Sequence, residues 1–327
     1  MKRLLFISNL KSGKNQIKPH FSAIIDMFVA AGYEVTVHTT QAAKDAYEVA
    51  RTRGEDYDLL VCSGGDGTLD EVVSGLIELS KRPCLGYIPA GTTNDFAKSL
   101  GISSNMTAAA KNVLEGVPFA IDVGVFNRRY FAYVAAFGAF TDVSYQTPQQ
   151  LKNTFGHLAY VMEGLKSLPN ITPHRMTVEF DDEVITDSFA YGMVTNSISV
   201  GGFKSISGKE MELDDGLFEV LLVRMPKNVF EFQAIMSAFL MQKVDERYMF
   251  FAKVNHIRFT SEEEISWTLD GEDGGCCKEA DIYNMCRAIE ILRPSDKAQI
   301  QKIKEEYEAY EAMEQEQRER DERENET

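Results

Sequence analysis

The sequence predicts an α/β protein in two parts: an N-terminal doubly wound parallel sheet of the Rossmann-like kind, then a mostly antiparallel β-sandwich domain. Three observations lead there. Through the first half, short apolar runs alternate with amphipathic stretches, the rhythm of strands joined by helical crossovers. From about Val123 strand-like runs dominate and helical spacing occurs only twice. The chain has 327 residues, more than one hydrophobic core usually spans.

Arg3–Ser8 reads as a buried first strand. A signal peptide is the rival reading, but the apolar run is only Leu4–Ile7 and no small-residue cleavage site follows. Lys18–Ala31 carries Phe21, Ile24, Ile25 and Phe28 at helical spacing and ends at Gly32. Glu34–His38 is strand-like, and Ala42–Arg53 is helix-like ahead of Gly54. Leu59–Cys62 leads into a glycine loop and a helix over Leu69–Leu79, and Pro83–Ile88 is the fourth strand.

In the second part, strands are expected at Phe131–Ala136, Met176–Phe180, Phe189–Thr195, Leu217–Val223, Lys253–Thr260, Ile265–Leu269 and Ala288–Arg293. Turns are expected at Asp182-Glu183 and Asp214-Asp215-Gly216, and helices over Lys152–Leu168 and Val229–Met241. The domains are then residues 1–122 and 123–292, with the chain returning to the first domain after 293. Residues 296–327 hold twelve Asp/Glu and six Lys/Arg. Ile300, Ile303, Tyr307, Tyr310 and Met313 give this tail one helix edge, and beyond Met313 it is expected to fray.

Net charge is −16, a poor surface for nucleic acid. The apolar stretches are too short to cross a bilayer. Five cysteines, an odd number with no Cys-x-x-Cys pair, argue for reduced thiols and against zinc. A soluble, cytoplasmic protein is expected.

Chemistry concentrates in loops that follow the parallel strands, the edge where such sheets bind ligands. The sharpest is Ser63-Gly64-Gly65-Asp66-Gly67-Thr68-Leu69-Asp70, between a strand and a helix. Its glycines permit close backbone approach, and the helix amino terminus offers free N–H groups and a positive dipole, which suit phosphate. Taken alone it is a tight turn with Asp66 as cap, and it matches neither common nucleotide fingerprint. Three companion loops weaken that plain reading: Asn9-Leu10-Lys11-Ser12-Gly13-Lys14, Thr39-Thr40, and Pro89-Ala90-Gly91-Thr92-Thr93-Asn94-Asp95-Phe96.

The loops at 64–68 and 91–95 resemble those of the diacylglycerol kinase catalytic superfamily, which includes sphingosine and ceramide kinases. Ile121-Asp122-Val123-Gly124, Val143-Ser144-Tyr145-Gln146-Thr147-Pro148, Leu151-Lys152, Ala159-Tyr160, Leu213-Asp214-Asp215-Gly216-Leu217 and Leu269-Asp270-Gly271-Glu272 extend the likeness toward the soluble bacterial diacylglycerol kinases. It covers about residues 1–294. It implies an ATP site formed by Asn9, Leu10, Lys11, Ser12, Gly13, Thr40, Gly64, Gly65, Asp66, Gly67, Thr68, Leu69, Asp70 and Thr92. Asp66 and Glu272 are the implied catalytic pair, with Glu272 as the general base that takes the lipid hydroxyl's proton while Mg2+ neutralises the phosphates. It further implies a structural Mg2+ held by the Asp215 side chain and the main-chain oxygens of Glu212 and Leu217, with Asp122 linked through water, and a homodimer. Leu10 departs from the family's usual proline, and Asp70 and Ser74 from its asparagines. A bare carboxylate at Asp70 would repel the phosphates unless magnesium or a lysine offsets it.

The implied activity is phosphorylation of diacylglycerol to phosphatidic acid by a cytoplasmic protein that docks transiently on the membrane. Stripes at Leu158, Val161, Met162 and Leu165, or at Phe230, Phe232, Ile235, Phe239 and Leu240, are candidate docking faces, though such stripes are more often core. Alternatives are another lipid alcohol (a sphingoid base or phosphatidylglycerol), a soluble acceptor of the NAD kinase type, or a non-catalytic lipid- or nucleotide-binding regulator.

Overall fold

Four strands, β1 (Lys2–Ser8), β2 (Tyr33–Thr39), β3 (Leu59–Gly64) and β4 (Cys84–Pro89), pair in parallel in the order β2-β1-β3-β4. The crossovers are α1 (Phe21–Ala30), α2 (Asp45–Arg53) and α3 (Asp66–Ile77). β1 to β2 steps one way along the sheet, and β2 to β3 to β4 steps the other. Right-handed crossovers therefore put α1 on one face and α2 and α3 on the opposite face. Strand order reverses between β1 and β3, so the loops after those two strands border the natural ligand crevice. These results come from a computed structural model, which describes residues 1–92, 94–139, 171–196, 199–200, 203–204, 212–241, 244–307, 309 and 313. The motifs at Val143–Pro148, Leu151-Lys152 and Ala159-Tyr160, the helix expected over Lys152–Leu168 and Thr93 lie outside them.

Two short helices, α4 (Asp95–Leu100) and α5 (Met106–Glu115), follow β4 and lead to β5 (Val117–Phe126). The second part holds β6 (Arg129–Phe131), β7 (Val134–Gly138), β8 (His174–Phe180), β9 (Glu183–Thr195), the small pair β10 (Ser199–Val200) and β11 (Phe203–Lys204), and β12 (Phe218–Arg224). After α6 (Val229–Leu240) come β13 (Met249–Val254), β14 (His256–Leu269) and β15 (Glu272–Arg293). Apart from the parallel β4–β15 contact, every described pairing from β5 onward is antiparallel.

β15 joins the two parts. Its first half pairs with β14, and its end pairs with β5 and, at Ile291, in parallel with Leu85 of β4. One continuous sheet results. Ile289, Ile291 and Leu292 belong to the core of the first part. The return expected after 293 thus occurs inside β15, because these apolar residues are already buried against β4. The sequence also reads Lys253–Thr260 as one strand. A bend at Asn255, whose side chain donates to the Gly216 carbonyl, splits it into β13 and β14. The glycine-rich stretch after Glu272, which resembles a loop by composition, continues as strand because it pairs with Ile265–Leu269.

Two main cores result. The first wraps the parallel sheet and includes Ile303 and Tyr307 from a helix over 297–307. The second centres on Trp267, whose ring meets Phe126, Phe137 and Phe259 at centroid distances of 5.0, 4.9 and 5.1 Å. No helix among the described residues is long and apolar enough to cross a membrane.

Candidate active site

The loops converge because their backbones touch. A side chain on Gly91 would start 2.5 Å from the Gly65 Cα, and one on Gly13, at φ +49°, would collide with the Ala90 carbonyl. Only glycine allows these approaches. Polar bonds tie the loops further. Asn9 Nδ2 donates to Thr68 Oγ1 at 3.2 Å, and the Asn94 amide both accepts from Gly91 N and donates to Gly91 O. Asp66, the first residue of α3, receives N–H groups from the start of α4, including Asp95 N at 3.3 Å. Burial pushes the Asp66 carboxyl above the ordinary carboxylate range, while those N–H groups pull it back. Among the described residues no donor reaches its buried Oδ1.

The opposite wall comes from the second part. Asp270 (φ +48°) and Gly271 (φ +82°) are both left-handed, the signature of a two-residue hairpin turn between β14 and β15. This turn sets Glu272 at the head of β15. Glu272 Oε1 lies 3.2 Å from the point where a side chain on Gly67 would begin, so its carboxylate stands over the first turn of α3. The turn is anchored by Asp270, whose buried carboxylate accepts N–H bonds from Ala132, Tyr133 and Val134. Tyr133 Oη donates to the Asp270 carbonyl at 3.2 Å.

A cleft of about 230 Å3 lies between the walls, lined by Ser12, Gly13, Gly65 to Gly67, Gly91, Thr92, Asp95, Tyr133 and Asp270 to Glu272. Of the residues expected at the ATP site, Ser12, Gly13, Gly65, Asp66, Gly67 and Thr92 line it. Gly64 ends β3, and Lys11 is exposed. Asn9 and Thr68 stand behind the cleft as braces, Thr40 bonds the Ser8 carbonyl through its N–H, and Leu10 packs on the core. Leu69 is core because it faces the sheet from α3. Asp70 turns away from the phosphate loop toward Asp270. Sequence reasoning missed Tyr133 in the cleft. No local pattern marks it, since it lies in an apolar segment and lines the cleft beside Asp270.

The residues expected to hold a structural magnesium make contacts within the protein. Asp215 accepts the Leu217 N–H on Oδ1 at 3.0 Å, and its Oδ2 faces the Lys253 ammonium at 3.6 Å. The same ammonium stands 3.6 Å from Glu219 Oε1. Asp122 accepts Gly216 N at 2.7 Å and Asn284 Nδ2 at 3.2 Å on one oxygen, and Arg287 N at 2.7 Å on the other. Lys253 is thus the cation beside Asp215 and Glu219 at this junction. Among the described residues no cluster of three His, Cys, Asp or Glu side chains is placed to hold a metal ion.

Comparison with known proteins gives consistent matches. Residues 3–126 match the family described as diacylglycerol kinase catalytic domain, and residues 135–289 the YegS C-terminal NAD kinase beta sandwich-like domain. The chain is 35% identical to the diacylglycerol kinase of Bacillus subtilis over 302 residues, 91% of this chain and 99% of that one. It is 34% identical over 307 residues to the diacylglycerol kinase of Staphylococcus carnosus, covering 93% and 99%. In fold it superposes on a crystal structure of a diacylglycerol kinase from Bacillus anthracis with a TM-score of 0.70 at 23% identity, covering 90% of this chain and 97% of that one.

Proposed function

Since the chain belongs to the diacylglycerol kinase family, we propose that it moves the γ-phosphate of ATP to the free hydroxyl of diacylglycerol, giving phosphatidic acid. The observation that carries this reading is the Glu272 carboxylate held over Gly67 at the head of the phosphate-loop helix. A hydroxyl seated between that carboxylate and a triphosphate on the loops has a base on one side and an electrophile on the other.

In the step itself the lipid oxygen bonds to the γ-phosphorus as the bond from that phosphorus to the β–γ bridging oxygen breaks. Glu272 takes the hydroxyl proton, and ADP leaves with the bridging oxygen. Magnesium enters with ATP as part of the substrate and offsets phosphate charge. The chain's own part is positioning. The amino end of α3 and the Gly13, Gly65 and Gly91 backbones receive the phosphates, Asp66 holds the α3 and α4 loops together, and Ser12 and Thr92 offer hydroxyls.

The acceptor lies in a bilayer, so the protein docks peripherally. Phe232, Ile235 and Phe239 support the core instead, being buried against it. Phe230 is 80% exposed, Val229 and Met241 are exposed on the same helix, and these side chains offer a docking face. Leu158 lies outside the described residues.

The test is radiolabelled ATP with diacylglycerol, a sphingoid base and phosphatidylglycerol in mixed micelles, and with NAD in plain buffer. Labelled phosphatidic acid is expected. Label in another lipid moves the acceptor, label in NAD alone removes the lipid reading, and no label anywhere removes the kinase reading.

A further inference from the structure

α3 and the hairpin that bears Glu272 meet through two carboxyl groups. Asp70 lies one turn along α3 from Asp66 and hydrogen-bonds the carboxyl of Asp270. Two ionised carboxylates have no proton to share, so this contact requires that one of them be an acid. The surroundings assign the proton. Asp270 already accepts three backbone N–H bonds, an environment made for an anion. Asp70 has none of these, and its Oδ1 is sealed from solvent with no donor in reach among the described residues. Of the charged groups that act on it, Arg129 from β6 favours ionisation and Glu71 on its own helix opposes it.

We infer that Asp70 is a neutral carboxylic acid in the working enzyme, donating its proton to Asp270 and thereby clamping the phosphate-loop helix to the turn that positions Glu272. Asp70 is a positioning residue, since it acts on the reaction through Asp270 and Glu272. The inference deepens the kinase reading and rests on it for its catalytic consequence alone. It also removes the repulsion expected from a bare Asp70 carboxylate, because a protonated acid brings no charge to the phosphates.

Burial and the Asp270 charge hold the Asp70 proton well above the ordinary carboxylate range, and burial pushes Asp270 up to about 6. Between the two titrations the pair carries one proton and one negative charge. As pH rises through the upper titration a second charge appears between α3 and the turn, and repulsion pushes them apart. A general base gives the opposite trend, because it works only once its proton is lost. An alkaline decline is therefore the mark of the clamp. The stability sign agrees. An acid whose folded pKa exceeds its unfolded value of about 4 contributes fully below that value, and the contribution is lost as pH rises through the folded pKa.

Asp70→Asn is the decisive variant, because an amide donates the same hydrogen bond and never titrates. Three measurements compare it with the wild type. The infrared spectrum of the wild type at about pH 7 is expected to show the carbonyl band of a protonated acid that the variant lacks. The difference in melting temperature is expected to widen in favour of the variant from about pH 6 to about pH 9. The ratio of variant to wild-type kcat/KM is expected to rise about threefold across the pH at which the wild-type acid band disappears. Asp70→Leu, which has no donor, is expected to lose about tenfold in kcat at about pH 7 while KM for ATP holds, and to lose less as the wild type declines at alkaline pH.

No acid band at neutral pH, or a pH-independent melting difference, overturns the shared proton. A band and a widening melting gap with a flat activity ratio overturn the clamp's role in positioning Glu272. If both spectroscopic and thermal results hold while neither protein phosphorylates any acceptor, the proton-sharing pair stands and the kinase reading falls.

Discussion

Glu272 and Gly67 face each other across the seam between the two parts of the molecule, with the glutamate Oε1 3.2 Å from where a Gly67 side chain would begin. One residue comes from a hairpin late in the chain, the other from the first turn of a helix early in it. Their approach brings the carboxylate within contact distance of the first turn of α3.

That relationship makes both residues testable. Glu272→Gln keeps the shape and loses the base, so kcat should fall by about 10² to 10⁴ while KM for ATP stays within about twofold. Gly67→Ala should displace the carboxylate and lower kcat about tenfold. Steady-state kinetics in mixed micelles measure both. A Glu272→Gln protein with wild-type turnover would remove the general base from the mechanism.

Asp122 should matter for stability rather than turnover. It is fully buried and satisfies N–H groups of Gly216, just before β12, and of Asn284 and Arg287 on β15. Asp122→Ala strands those donors and should cost about 3 kcal/mol in urea denaturation.

Lys253 offers a direct check on the junction near Asp215. If its ammonium is the resident cation, dialysis against a chelator should leave the melting temperature unchanged. Lys253→Met should lower stability by about 1 kcal/mol, because Glu219 is buried and loses its counter-charge. Chelator-induced loss of stability would restore a metal to this site.

Membrane contact is read with vesicles. Phe230→Asp removes an exposed apolar ring and should weaken co-sedimentation with anionic vesicles about tenfold while leaving the melting temperature alone. Unchanged co-sedimentation would move the docking face elsewhere.

Much of this architecture is legible in the chain. The β-α-β rhythm, the strand-to-helix turn at Gly64–Asp66 and the Asp270-Gly271 hairpin are local, and each follows from residues within a few positions of one another. The strand from Glu272 to Ile289 is not legible in that way. Its glycines and acidic residues have poor strand propensity, and only pairing with β14 and β5 makes it extended. The break at Asn255 is hidden for the same reason, since its cause is a carbonyl contributed by Gly216.

The sequence by itself determined which loops bear glycine and hydroxyl groups and that they follow parallel strands, because backbone conformation depends on near neighbours. Only the tertiary structure decided that Asp70 meets Asp270 rather than phosphate, that Lys253 stands beside Asp215, and that Tyr133 enters the cleft. Those outcomes turn on burial and on charges brought together from distant segments, and the energy of a carboxyl group is set by what surrounds it in space.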